Sequence, residues 1–247
     1  MHARSRRLAG CGFIVGGIVY SSWLLGLVLP TGLSQHGAYT SELEAAGVPW
    51  GWLIRLCDVL AGVLLCLAAL AAFAGVGGGL ARADSANRSW WDRWGGVRLA
   101  YAAVAVIGAC TAAAGTLVLD CASSTRACKQ LESTTPQTWH DLAHHDLSTI
   151  SGVAFAVALV ACTIAAIWRP AFGVPSRWVG VLVVLAAATS IPAGTLAMPA
   201  GWRGLPQRAN EAVESALFIL LGLALLRTPR VLISEPILSD GAASAST

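Results

Sequence analysis

Uninterrupted apolar runs close to the length of a membrane-spanning helix recur along this chain, and that recurrence constrains its fold more than any motif. A run of about 20 apolar residues crosses the roughly 30 Å hydrocarbon core as a helix, whereas a soluble domain breaks such runs with polar faces. The runs cover residues 8–29, 56–80, 99–119, 147–168, 178–198 and 210–226. Charged residues make up only 12% of the 247-residue chain, about half the usual share for a soluble domain. The expectation is an all-α, polytopic transmembrane bundle of six helices in one domain over residues 1–230. The Gly-Ala-Ser tail, 231–247, reads as disordered.

The first run follows Arg4, Arg6 and Arg7, the pattern of a secretory signal. It is longer than a signal core and runs into Pro30-Thr31-Gly32 rather than a small-residue cleavage site, so it reads as an uncleaved span. In the last run, Glu211 and Glu214 occupy the opening turns and shorten the purely apolar stretch.

Basic residues set the expected orientation, because cytoplasmic flanks carry the excess of Lys and Arg. With the N-terminus inside, most arginines fall in cytoplasmic flanks: Arg4–Arg7, Arg82–Arg98, Arg169, Arg177, Arg227 and Arg230. Arg55, Arg126, Lys129, Arg203 and Arg208 fall outside, and the acidic residues are concentrated on that outer side. Both termini are therefore expected in the cytoplasm, with outer loops at 30–55, 120–146 and 199–207. Trp90, Trp91 and Trp94, set among arginines, suit an inner loop resting on headgroups. The net charge of +3 is small and Lys129 is the only lysine, which does not indicate nucleic-acid binding, so no nucleic-acid partner is expected. The strong Ala, Gly and Arg bias suggests a bacterial gene, and hence a multi-pass protein of the bacterial plasma membrane.

Ionisable residues near span ends are the candidates for function. In a helix starting near Trp139, His140, His144, Ser148 and Ser151 share one stripe. Two histidines one turn apart can share a metal ion, which makes His140 and His144 a candidate zinc pair lacking a known third ligand. The plainer reading is a polar helix end in the headgroups, with Asp141 and Asp146 favoured by the helix N-terminus.

Asp58 opens the second span. It is either functional, as ionisable residues within spans tend to be, or locally paired with Arg55. Glu211 and Glu214 open the last span, with Arg208 one turn earlier, and a role at the helix N-terminus is available to them. Asp58, His140, His144, Ser148, Arg208, Glu211 and Glu214 are all expected at one membrane level, where a bundle would gather them into an outward-facing polar pocket.

Five of the seven cysteines, Cys11, Cys57, Cys66, Cys110 and Cys162, lie in spans and read as small apolar packers. Cys121 and Cys128 lie in the second outer loop, on the oxidising side, and are expected to form a disulfide. Their spacing is not Cys-x-x-Cys, which argues against redox catalysis. Small residues around Ala100–Ala105 and Ala112–Gly115 permit close helix packing, Pro192 is a candidate kink, and Gly75–Gly79 weakens the end of the second span.

The first outer loop reads Tyr39-Thr40-Ser41-Glu42-Leu43, then Gly47-x-Pro49-Trp50, followed by Arg55 and Asp58-x-x-Ala61-Gly62. With Gln207-Arg208 before the last span, this pattern resembles the bacterial six-span integral membrane proteins grouped as domain of unknown function 998. A more distant likeness links it to the Frag/DRAM/Sfk six-span proteins. The resemblance covers nearly the whole chain and implies six helices and no established activity. It carries no catalytic residue to transfer.

Three functional classes remain at the level of sequence. The first is a non-enzymatic accessory protein that binds lipid, a small ligand or a protein partner at the outer face and needs no cofactor. The second is a zinc-dependent hydrolase at the outer leaflet, with His140 and His144 as ligands and Asp58 or Glu214 as base. Against it, no lipid-phosphatase motif or Gly-x-Ser-x-Gly elbow is present. The third is an ion- or proton-coupled transporter titrating through Asp58 and Glu214, which the nearly apolar middles of the spans disfavour.

Overall fold

Seven α-helices and short 3₁₀ turns account for the regular structure of the described residues, and no strand occurs among them. The structure, a computed structural model, describes residues 3–80, 90–168, 176–194 and 200–227. The tail 231–247 and most of the connections at 81–97 and 169–177 lie outside the described residues.

The long helices are α1 (Ala3–Tyr20), α2 (Gly51–Leu80), α3 (Trp90–Ala114), α5 (Trp139–Trp168), α6 (Ser176–Gly194) and α7 (Gly204–Arg227). The short α4 (Arg126–Glu132) sits in the loop between α3 and α5. Neighbours in the chain pack together, α1 on α2, α2 on α3, α3 on α5, α5 on α6 and α6 on α7, and α7 then closes on α1. The result is a ring of antiparallel neighbours, so alternate helix ends meet at the same end of the bundle.

Five helical segments, 3–27, 51–75, 96–114, 139–166 and 204–227, are long and apolar enough to cross a membrane. Their outward faces agree: Leu8, Ile18, Leu67, Val153 and Val160 are largely exposed. Exposed apolar surface on this scale is unfavourable in water and natural in lipid. The interior is apolar too, with Phe13, Leu65, Val104, Ile107, Leu217, Phe218 and Leu221 buried in one continuous cluster.

Glycine sets the tightest contact between two helices among the described residues. A Cβ on Gly62 of α2 would lie 2.4 Å from the Ala112 nitrogen of α3, and one on Gly108 would lie 2.5 Å from the Cys66 nitrogen. The two backbones therefore touch where only hydrogen fits, as small-residue packing allows.

Several element boundaries differ from the hydropathy reading. The first span is not one α-helix to residue 29. Past Tyr20 it tightens into a 3₁₀ turn over Ser21–Leu27, where the Ser21 hydroxyl bonds back to the Gly17 carbonyl at 3.1 Å. Hydroxyls that compete for backbone groups favour such departures. α7 starts at Gly204, earlier than residue 210, because Pro206 is tolerated in a first turn, where no intrahelical donor is lost. Hydropathy misses that turn because Gln207, Arg208 and Asn210 are polar. α6 remains helical through Pro192 to Gly194.

Candidate functional site

The polar residues concentrate at one end of the ring, beneath the segment that joins α1 to α2. That segment is pinned on several sides. Thr40 donates its backbone N–H to Gln207 Oε1 at 2.9 Å and its hydroxyl to Glu211. Arg208 Nη1 reaches the Ala38 carbonyl at 2.7 Å, and the Gly204 N–H reaches the His36 carbonyl at 2.9 Å. From the α3–α5 loop, Ser123 Oγ donates to Glu42 Oε1 at 2.9 Å, and the Ser124 N–H donates to Glu42 Oε2 at 3.2 Å. The Ala46 N–H meets the Leu119 carbonyl at 2.9 Å.

A disulfide between Cys121 and Cys128, with Cα atoms 5.5 Å apart, closes the start of that second loop, as the sequence predicted. These two sulfurs and Glu132 form the only three-donor group with metal-ligand proximity among the described residues. The disulfide occupies both sulfurs, so the group is not a thiolate metal site.

Below the pinned segment lies a cavity of about 250 Å³. α1 and its 3₁₀ extension contribute Tyr20, Ser22 and Trp23, and the segment above contributes Thr40, Ser41 and Glu44. Asp58 enters from α2, Cys110 and Thr111 from α3, His144, Ser148 and Ser151 from α5, and Gln207, Asn210, Glu211 and Glu214 from α7. Ser148 and Gly152 line the cavity and are also exposed, so the cavity has an opening beside α5.

The carboxyl groups are individually provided for. Glu214 Oε2 accepts from the Tyr20 hydroxyl at 2.5 Å, and its Oε1 accepts from Asn210 Nδ2 at 3.0 Å. Asp58 Oδ1 accepts from Ser22 Oγ at 3.2 Å. Glu44 is 4% exposed and shares a hydrogen bond with Asp58, yet its Oε2 has no partner. Burial pushes the Glu44 carboxyl well above its usual range, and the Asp58 charge adds to the effect; Arg55 opposes it only in part. Trp23 Nε1 is likewise buried without a partner.

Of the residues expected to converge, Asp58, His144, Ser148, Glu211 and Glu214 line this cavity, whereas His140 and Arg208 do not. The His140 ring lies against Trp139, with centroids 3.9 Å apart. Arg208 is buried, with its guanidinium on the pinned segment rather than in the cavity. The local Arg55–Asp58 pair is not formed, because Arg55 Nη1 donates to the Glu44 carbonyl and Asp58 takes the Ser22 hydroxyl. Nor do Glu211 and Glu214 cap α7. The helix begins at Gly204, which places both acids well inside it, where burial demands side-chain partners.

Glu44, Tyr20, Ser22 and Thr40 are cavity residues that the sequence reading missed. A signal for two of them was present, since Thr40 lies within, and Glu44 directly follows, the Tyr39–Leu43 segment that carries the family resemblance.

The family model described as Protein of unknown function (DUF998) matches residues 13–224, nearly the whole chain. The chain belongs to this family. The match takes in every residue lining the cavity, together with the segment above it. Comparison with curated proteins and with solved structures gives no match.

Proposed function

We propose that this family member spans the bacterial plasma membrane six times, with both termini in the cytoplasm, and uses its outward-facing cavity to bind a small polar ligand rather than to catalyse a reaction. α6 serves as the sixth span, since it closes the ring between α5 and α7. The basic residues flanking the opposite end support the orientation.

One observation carries the ligand reading. Polar side chains from five helices and the pinned segment meet around a single cavity, in a bundle whose interior is otherwise apolar. Burying so many polar groups is unfavourable unless each finds a partner, and Glu44 Oε2 and Trp23 Nε1 have none. A ligand that supplies the missing partners accounts for groups that packing alone does not use.

A metal-dependent hydrolase has less support, because His144 enters the cavity without His140, its expected co-ligand for zinc. The transporter reading shares Asp58 and Glu214 with the ligand reading but gains no polar path through the apolar core among the described residues. The binding reading requires no cofactor, and membrane lipid surrounds the bundle as its constant partner.

Native mass spectrometry of the protein in lipid nanodiscs tests the proposal. Wild-type protein exposed to a pool of small polar metabolites is expected to retain a bound species. A Ser151→Trp variant, which fills the cavity, is expected to retain none while melting within a few degrees of wild type. Identical spectra for the two proteins would overturn the reading. Orientation is checked with a membrane-impermeant maleimide on intact cells, which is expected to label Gln130→Cys and not Ser5→Cys.

A further inference from the structure

The cavity's chemistry is one-sided. Glu44, Asp58, Glu211 and Glu214 all line it, and no lysine or arginine is among the described residues that do. Arg55 and Arg208 are close enough to offset part of this charge, but they stay outside the lining and hydrogen-bond the Glu44 and Ala38 carbonyls.

Its hydrogen-bonding capacity leans the same way, with the Trp23 Nε1–H as the one buried donor left without a partner among the described lining residues. Tyr20, Ser22, Thr40 and Asn210 already direct donors at the carboxyl groups. Ser148 Oγ donates to the His144 carbonyl at 2.9 Å, leaving only its acceptor capacity for the cavity. Within the cluster, Glu44 Oε2 is a buried acceptor without a hydrogen-bond partner, on a side chain only 4% exposed. An occupant rich in donors and positive in charge complements all three features.

The spacing distinguishes one kind of cation from another. A metal ion draws three or more ligand atoms to about 2.0–2.6 Å from a single point. No three of these four carboxyl groups form a metal-compatible group among the described residues. An ammonium group, with several N–H donors each reaching an acceptor near 2.9 Å on a carbon frame that occupies volume, suits acceptors spread around about 250 Å³. Tyr20 and Trp23 add aromatic surface, against which an alkylammonium is also favoured.

We propose that the cavity binds an organic ammonium ion, with Glu44 Oε2 as a direct acceptor and Asp58, Glu211 and Glu214 supplying the countercharge. This rests on the reading of the cavity as a ligand site and names the class of ligand. The ion arrives either as a free small amine or as an amino headgroup entering through the opening beside Ser148 and Gly152.

The test uses full-length protein in phosphatidylglycerol nanodiscs and follows thermal stability and calorimetric binding. The probes are ethylammonium, magnesium, acetamide and acetate at matched ionic strength. Ethylammonium is expected to bind saturably and raise the melting temperature, with magnesium, acetamide and acetate inactive. Glu44→Gln is expected to weaken ethylammonium binding by about tenfold or more, because a carboxyl can give up its proton beside the ammonium and an amide cannot become charged. Glu211→Gln is a second variant should Glu44→Gln fail to fold, and the comparison of probes on wild-type protein needs neither.

Phosphatidylethanolamine in the nanodisc separates the two sources. If it suppresses ethylammonium binding, the headgroup is an occupant; if it does not, the site takes free amines. Binding of magnesium, acetamide or acetate in place of ethylammonium, sensitive to Ser151→Trp, would overturn the ammonium proposal and leave the ligand site standing. No probe binding and no difference between wild type and Ser151→Trp would remove both.

Discussion

The seam between α2 and α3 and the polar end of the bundle are both buried, and they are held by opposite means. Along the seam, Gly62 and Gly108 bring two backbones into contact, and specificity comes from shape alone. At the polar end, Glu42, Glu44, Thr40 and Arg208 are buried, and specificity comes from hydrogen bonds that cross between loops and helices. Gly62 lies one turn from Asp58, so the seam also fixes where the polar end holds its carboxyl group. The contrast teaches that steric packing serves here as scaffold, while polar groups are retained where a loop must be held and a cavity kept open.

Breaking the seam should have the largest effect. Gly62→Val or Gly108→Val places side-chain atoms where the facing backbone already lies, and is expected to cost about 3 kcal/mol or more. Unfolding in mixed micelles with increasing denaturant measures it. A cost below about 1 kcal/mol would show that the helices separate easily and that the seam is no scaffold.

Glu42→Ala removes the acceptor that ties the first loop to Ser123 and Ser124. A loss of about 1.5–3 kcal/mol is expected, since half-buried donors lose a carboxylate partner. Replacing Cys121 and Cys128 together by serine frees the same second loop, with an expected loss of about 2 kcal/mol for so short a bridged segment. If the two losses add, the tether and the disulfide act independently; if they overlap, they secure one unit.

The polar end should respond to pH, and the seam should not. The folded protein holds the Glu44 proton more tightly than the unfolded chain does, because of burial and then the Asp58 charge. Stability is therefore expected to fall as pH rises from the ordinary carboxyl range toward the raised folded value, and to level off above it. Glu44→Gln should flatten that part of a melting-temperature profile, whereas Gly62→Ala should shift the profile without changing its shape.

The smallest effect is expected at the entrance to α2. Trp50 has φ 67°, a conformation that costs a non-glycine residue about 1 kcal/mol. Trp50→Gly relieves this strain but gives the unfolded chain more freedom, so the net change should stay within about 1 kcal/mol. Thermal unfolding measures it.

The bundle was legible in the sequence because lipid imposes a rule on every residue of a span. Runs such as 56–80 must be apolar, and such runs read as helices before any contact is known. The Cys121–Cys128 disulfide was legible for a similar local reason, since both cysteines share one short loop. Helix ends were less so. Gly204 to Arg208 look like loop by hydropathy, and only their bonds to His36 and Ala38 draw them into an ordered first turn.

The shared membrane level of Asp58, His144 and Glu214 followed from the sequence, because alternating helices fix which span ends lie together. Which of these residues face one another did not. Tertiary structure alone turned His144 inward and left His140 on Trp139, and it brought Glu44 beneath the first loop to meet Asp58. The physical reason is that hydrophobicity acts on each residue separately and fixes depth. Helix rotation and loop placement depend on close contacts between residues far apart in the chain, as between Gly62 and Gly108, or Thr40 and Gln207.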